Sequence, residues 1–171
     1  MSAPHLLVIG GARSGKSRYA QQRAEATRLR RIFIATAQAF DAEMRDRIDR
    51  HRADRGAEWE TIECPLALSE AVARHAAPDA VLLVDCLTLW TSNLILSDSD
   101  CFAATSRLVD ALEHADGPVI LVTNEVGLGI VPDNALARRF RDEAGIVNQR
   151  VAAAVPEVQL LAAGLSLRLK G

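Results

Sequence analysis

Eight consecutive residues, Gly10, Gly11, Ala12, Arg13, Ser14, Gly15, Lys16 and Ser17, fit the pattern G-x-x-x-x-G-K-[ST]. The chemistry of that spacing is phosphate binding. Glycines let the backbone wrap close to an anion so that amide N–H groups point inward, and a helix leaving the loop adds the positive end of its dipole. In such a P-loop Lys16 pairs with the β and γ phosphates of a nucleoside triphosphate, and the Ser17 hydroxyl reaches Mg2+. The competing reading is a glycine-rich turn that merely contains Lys and Ser. A carboxylate completes the pattern. Asp85 ends Ala80-Val-Leu-Leu-Val-Asp85, the most apolar strand-like run in the chain, where P-loop proteins place the acid that holds Mg2+ through its water shell. Without the loop, Asp85 would read equally as an ordinary acid starting a helix. Asn124 and Glu125 leave the next strand at the same end, so Glu125 reads either as a base or metal-supporting ligand or as a solvated loop acid.

The elements that must position these residues alternate regularly. Residues 5–9 form a short continuous apolar run stopped by glycines, as a strand buried on both faces would. A helix is expected over 17–29, a strand over 32–36, and a helix from 42 to about 55, N-capped by Asp41 and ended by Gly56. On that helix Met44, Ile48, His51 and Arg55 follow at helical spacing, so from spacing alone His51 extends an apolar stripe as a half-buried structural histidine. Further strands are expected at 60–64, 80–85 and 118–123, with helices over 66–75, 87–96 and 102–114. A long helix then carries Leu136, Phe140, Ala144, Val147 and Val151 on one face, and strands at 158–163 and 166–169 close the sheet as a hairpin. The alternation implies an α/β fold, a mainly parallel sheet with helices on both faces and an antiparallel edge. One domain of 171 residues suffices, since no repeat or linker interrupts it.

Composition narrows the partners. Twenty Lys and Arg against twenty-two Asp and Glu give a net charge of -2, without the basic surplus that nucleic acid or an anionic membrane calls for. Three cysteines, Cys64, Cys86 and Cys101, never fall in a C-x-x-C spacing, which argues against a disulfide framework and a structural zinc site. A cytoplasmic protein is the expectation, with no leader and no membrane span.

The P-loop alone leaves several classes open. A regulatory GTPase would carry N-K-x-D and D-x-x-G, and after Thr123 the chain instead reads Asn124-Glu-Val-Gly127. A small-molecule kinase remains, as does a nucleotide-dependent binding protein that transfers nothing. Longer segments are more specific: Phe33-Ile-Ala-Thr36, Asp41-Ala-Glu-Met44, Arg47-Ile-Asp-Arg-His51-Arg52, Trp59-Glu-Thr-Ile-Glu63, Asp85-Cys-Leu-Thr88, Thr123-Asn-Glu-Val-Gly-Leu-Gly-Ile-Val-Pro132, and Phe140-Arg-Asp-Glu-Ala-Gly145 with Asn148-Gln-Arg150. In these segments, and over essentially its whole length, the chain resembles the bifunctional adenosylcobinamide kinase and adenosylcobinamide-phosphate guanylyltransferases of cobalamin biosynthesis.

That resemblance implies a RecA-like P-loop NTPase fold and two reactions. In the first, adenosylcobinamide is phosphorylated by ATP or GTP. In the second, GMP passes from GTP to a histidine and then to adenosylcobinamide phosphate, giving adenosylcobinamide-GDP. It makes His51 the nucleophile, with Arg52 and Arg55 within one helical turn to offset phosphate charge. It also implies that Ala35, Thr36, Ala37, Arg52, Ala53, Asp54, Arg55, Glu63 and Asp85 line the GTP site, that Mg2+ sits at Ser17 and Asp85, and that the protein is a homotrimer. By residue type alone, Ala35–Ala37 would be a plain strand end, the Arg cluster a solvated helix face and Glu63 an edge residue. The other histidines, His5, His75 and His114, match no catalytic motif.

Overall fold

A computed structural model describes residues 5–38 and 56–171. Seven strands, β1 (Leu6–Gly10), β2 (Arg30–Ala35), β3 (Trp59–Glu63), β4 (Ala80–Asp85), β5 (Val119–Asn124), β6 (Glu157–Ala162) and β7 (Leu165–Lys170), form one sheet in the order β3-β2-β4-β5-β1-β6-β7. All neighbours are parallel except β6 and β7, the expected antiparallel edge. The described helices are α1 (Lys16–Ala26), α2 (Leu68–His75), α3 (Leu87–Leu96), α4 (Cys101–Glu113) and α5 (Ala135–Ala154). The expected helix over 42–55, with His51, lies outside the described residues.

Alternation along the strands divides the core in two. Leu7, Ile32, Ile34, Leu82, Val84 and Leu121 face α2, α3, α4 and α5, around the fully buried Trp90. Leu6, Val8, Phe33, Leu83, Ile120 and Val122 face the other way, against Ala20 and Ala24 of α1. The continuously apolar runs are therefore explained: the inner strands bury both faces, so neither can be polar. On β7, the outermost strand, Leu165, Leu167 and Leu169 alternate with Ser166, Arg168 and Lys170, and all three leucines are exposed.

Two expectations shift. The first helix ends at Ala26 rather than 29, because the Thr27 hydroxyl donates to Ala24 O at 2.7 Å and accepts from Leu29 N at 3.2 Å, and Arg28 then takes a positive φ of 59°. The apolar stripe of α5 is buried only from Ala144 onward, with Leu136 55% exposed. The start of α5 is capped by the Asn134 side chain, which accepts from Ala137 N at 2.7 Å.

Candidate active site

The phosphate loop joins β1 to α1 as the motif requires. Gly15 occupies the N-cap position with φ 93°, a left-handed conformation that glycine takes without steric cost, and it turns the chain into α1. Among the described residues no side chain caps α1, and no acid lies in its first turn. Its leading N–H groups and positive dipole end are thus left for an anion. Lys16 is 9% exposed and folds over the loop, its Nζ donating to Gly11 O at 3.1 Å. Ser17 is exposed on the first turn, Ala12 and Arg13 are exposed on the loop, and Arg13 has a positive φ of 54°. Ser14 is buried, and its hydroxyl has no hydrogen-bond partner among the described residues. Gly10 is closely confined: a Cβ there would come within 2.5 Å of Leu161 O and 2.6 Å of Ser14 Oγ.

Strand register sets the rest of the site. Ala35 pairs with both Glu63 and Asp85, so β3, β2 and β4 end in one row, while Gly10 pairs with Asn124. Asp85 continues the alternation of Val81 and Leu83, and Ala35 packs with Phe33 against the α1 side. Asp85, Ala35 and Glu63 therefore lie on the sheet face that carries α1, with Asp85 half-buried and Glu63 exposed. Ser17 and Asp85 are a hydroxyl and a carboxylate, hard oxygen donors suited to Mg2+, which takes few protein ligands beside its substrate phosphates. No group of three or more His, Cys, Asp or Glu among the described residues forms a metal cage.

Thr36 is fully buried and engaged within the chain: its hydroxyl donates to Cys86 O at 2.7 Å and accepts from Cys86 N at 2.8 Å. Asn93 of α3 donates to Thr36 O at 2.8 Å and Pro65 O at 3.0 Å, tying the ends of β2 and β3 to the helix after β4. Ala37 is half-buried just beyond. Burial, reinforced by the charge of Asp85, pushes the Cys86 thiol up to about 11, so it stays protonated. Glu125 donates its backbone N–H to Gly10 O at 3.0 Å, while its carboxylate accepts from Gly127 N within its own loop. His51, Arg52, Ala53, Asp54 and Arg55 lie outside the described residues.

Similarity to known proteins decides the family. The model of the cobinamide kinase / cobinamide phosphate guanyltransferase family matches residues 6–169. The chain belongs to this family. It is 48% identical to the bifunctional adenosylcobalamin biosynthesis protein CobP of Pseudomonas aeruginosa, covering 96% of both chains. It is 42% identical to the bifunctional adenosylcobalamin biosynthesis protein CobU of Salmonella typhimurium, covering 96% of this chain and 99% of that one. Among solved structures, the flagellar accessory protein FlaH from Methanocaldococcus jannaschii superposes with a TM-score of 0.55 at 12% identity, covering 98% of this chain and 78% of that one. The shared fold is that of the P-loop NTPases.

Within this cobinamide kinase / guanylyltransferase chain, two supporting groups escaped the sequence reading. One is a buried chain behind the loop: Asn124 N donates to Thr88 Oγ1 at 2.7 Å, Thr88 and Thr123 hydroxyls lie 3.3 Å apart, and Thr123 Oγ1 donates to Asn148 Oδ1 at 2.7 Å. Thr88, Thr123 and Asn148 stand inside the family segments, but nothing in their types says that they meet. The other is Asn93, whose signal was available: an amide among Leu87, Leu94 and Ile95 on a buried helix face needs partners.

Proposed function

We propose that the chain, as one domain spanning 1–171, phosphorylates adenosylcobinamide with ATP or GTP and then transfers GMP from GTP to adenosylcobinamide phosphate through a covalent GMP on His51. The observation that carries this is a phosphate loop opening an uncapped α1 beside Asp85, in a chain that belongs to the cobinamide kinase / guanylyltransferase family.

In the kinase step the acceptor hydroxyl oxygen bonds to the γ phosphorus, the bond from that phosphorus to the β–γ bridging oxygen breaks, and the hydroxyl proton leaves to solvent. Lys16 moves from Gly11 O onto the β and γ phosphates, and the loop and α1 amides hold them in line. In the transfer step His51 bonds to the α phosphorus and pyrophosphate leaves. The phosphate oxygen of adenosylcobinamide phosphate then displaces the imidazole, giving adenosylcobinamide-GDP. Arg52 and Arg55 offset the charge at the α phosphorus, and Ala35, Thr36, Ala37, Ala53, Asp54, Glu63 and Asp85 bound the GMP-carrying state. Mg2+, held by Ser17 and Asp85, supplies charge neutralisation along the polyphosphate. The enzyme works as a cytoplasmic homotrimer and takes no nucleic acid partner.

Incubation with α-labelled GTP and Mg2+ tests the assignment. Label is expected on the protein in an acid-labile, alkali-stable bond and absent from His51→Ala. Equal labelling of His51→Ala would refute the role of His51. Size-exclusion chromatography with light scattering, returning the mass of three chains, tests the trimer.

A further inference from the structure

The turn between β6 and β7 is built from Ala163 and Gly164, with φ of 51° and 79°. Two successive left-handed residues are what a tight two-residue hairpin turn requires. This turn also seats on the phosphate loop. Gly164 N–H donates to Ser14 O at 2.9 Å. A Cβ on Gly15 would come within 3.2 Å of Gly164 Cα, and a Cβ on Gly10 within 2.5 Å of Leu161 O on β6. The C-terminal hairpin therefore abuts the loop at its first residue and at the two residues before Lys16.

The contact at Ser14 has a directional consequence. In a planar trans peptide the carbonyl and the following N–H point in opposite directions. Holding Ser14 O toward Gly164 turns the Gly15 N–H away from the hairpin, as a phosphate-binding loop needs. We infer that the Ala163–Gly164 turn is a positioning element for the triphosphate: by clamping the Ser14–Gly15 peptide it presets the loop, and triphosphate binding in turn tightens the clamp. This rests on the reading of the loop as the triphosphate site.

Gly164 permits a clean test, because a Cβ there would meet nothing within 4 Å and only its positive φ constrains the residue. Val resists the left-handed region, whereas Asn tolerates it. Mg-GTP affinity, read by fluorescence titration, is expected to fall about tenfold in Gly164→Val and to return to within about threefold in Gly164→Asn. In the unsubstituted protein, saturation with Mg-GTP is expected to slow hydrogen exchange at the Gly164 amide, by the reciprocity of linked equilibria. The exchange measurement needs no variant, so it decides the matter even if Gly164→Val fails to fold. Unchanged exchange at Gly164, or a folded Gly164→Val that binds Mg-GTP as tightly as the parent, would overturn the inference and leave the site assignment standing. Failure of the unsubstituted protein to bind Mg-GTP would overturn both.

Discussion

The two ends of the sheet are tied with different shares of backbone and side-chain hydrogen bonds. At the amino end the backbone closes on itself: Arg30 N donates to Asp79 O and Leu82 N to Pro118 O, each at 3.0 Å, and the buried His5 ring accepts Val119 N at 3.2 Å. At the carboxyl end backbone pairs such as Cys64 N to Ala35 O and Glu125 N to Gly10 O are joined by a set of side chains, with Thr36, Thr88, Asn93, Thr123 and Asn148 occupying strand-end and helix-start backbone from below. The difference is functional. An edge braced from beneath by hydroxyls and amides, in addition to backbone pairs, can leave the N–H groups of a loop and a helix start for a ligand.

The strongest way to break this contrast is at the ligand side of the carboxyl end. Lys16→Ala is expected to lower both kinase and guanylyl-transfer rates by at least 10²-fold, on the order found when a single charge-stabilising donor is lost, and to leave the fold intact. Two assays on one preparation check it, and retained kinase activity would show that the reactions do not share this loop. Next comes the bracing beneath. Asn93→Leu strands the carbonyls of Thr36 and Pro65, and should cost about 2–4 kcal/mol in urea unfolding. A loss below about 1 kcal/mol would mean that the brace is redundant and the two ends less different than they look.

The sequence made the carboxyl end legible where chemistry is carried by consecutive residues. Gly10–Ser17 and the run ending at Asp85 announced the elements they lie on, because an eight-residue motif and a doubly buried strand are local patterns. What stayed hidden was carried by pairs far apart in the chain. Thr88, Thr123 and Asn148 become a network only once β5 and α5 are packed, and Ser14 meets Gly164 only because β6 adds beside β1. Thr36 is the instructive case. The resemblance implied that it lines a site, whereas its type and position read as a plain strand end, and the structure commits its hydroxyl to Cys86, where it holds the strand end on which Ala35 and Ala37 sit. The early end of α1 was equally invisible to propensity, since a single Thr27 hydroxyl decides it.

At the amino end the expected effect is smaller and depends on pH. Burial lowers the affinity of His5 for a proton, opposed in part by a hydrogen bond to the Leu112 backbone, and its Nδ1 must stay unprotonated to accept Val119 N. The folded pKa lies below the ordinary 6.5. The stabilisation is therefore complete above 6.5 and is lost as pH falls toward the lowered folded value, with a slope of at most about 1.4 kcal/mol per pH unit. His5→Gln keeps a carbonyl acceptor and removes the titration. Its stability should decline less steeply than the parent's below pH 6.5, and parallel profiles would show that His5 does not close this edge as an uncharged acceptor.

The smallest effect is expected where α1 meets β6, between the two ends. Arg23 and Glu157 form a two-armed pair, both contacts at 2.8 Å, and Arg23, opposed by burial and assisted by the Gln159 amide, holds the Glu157 carboxyl down to about 2. Because its folded pKa is depressed from 4.5, the pair contributes in full above that value and is lost as pH falls toward about 2. Arg23 is 37% exposed, so solvent screens the pair and its worth is held under about 1 kcal/mol. Glu157→Gln should then leave stability near pH 7 almost unchanged, flatten the acid limb between 4.5 and 2, and remove part of the salt sensitivity. This pair joins the helix that opens the phosphate site to the strand that leads into the Ala163–Gly164 turn. If Glu157→Gln weakened Mg-GTP binding more than it weakened folding, α1 and the hairpin would have to be treated as one support for the loop, and the carboxyl end would extend farther down the molecule than its own hydrogen bonds indicate.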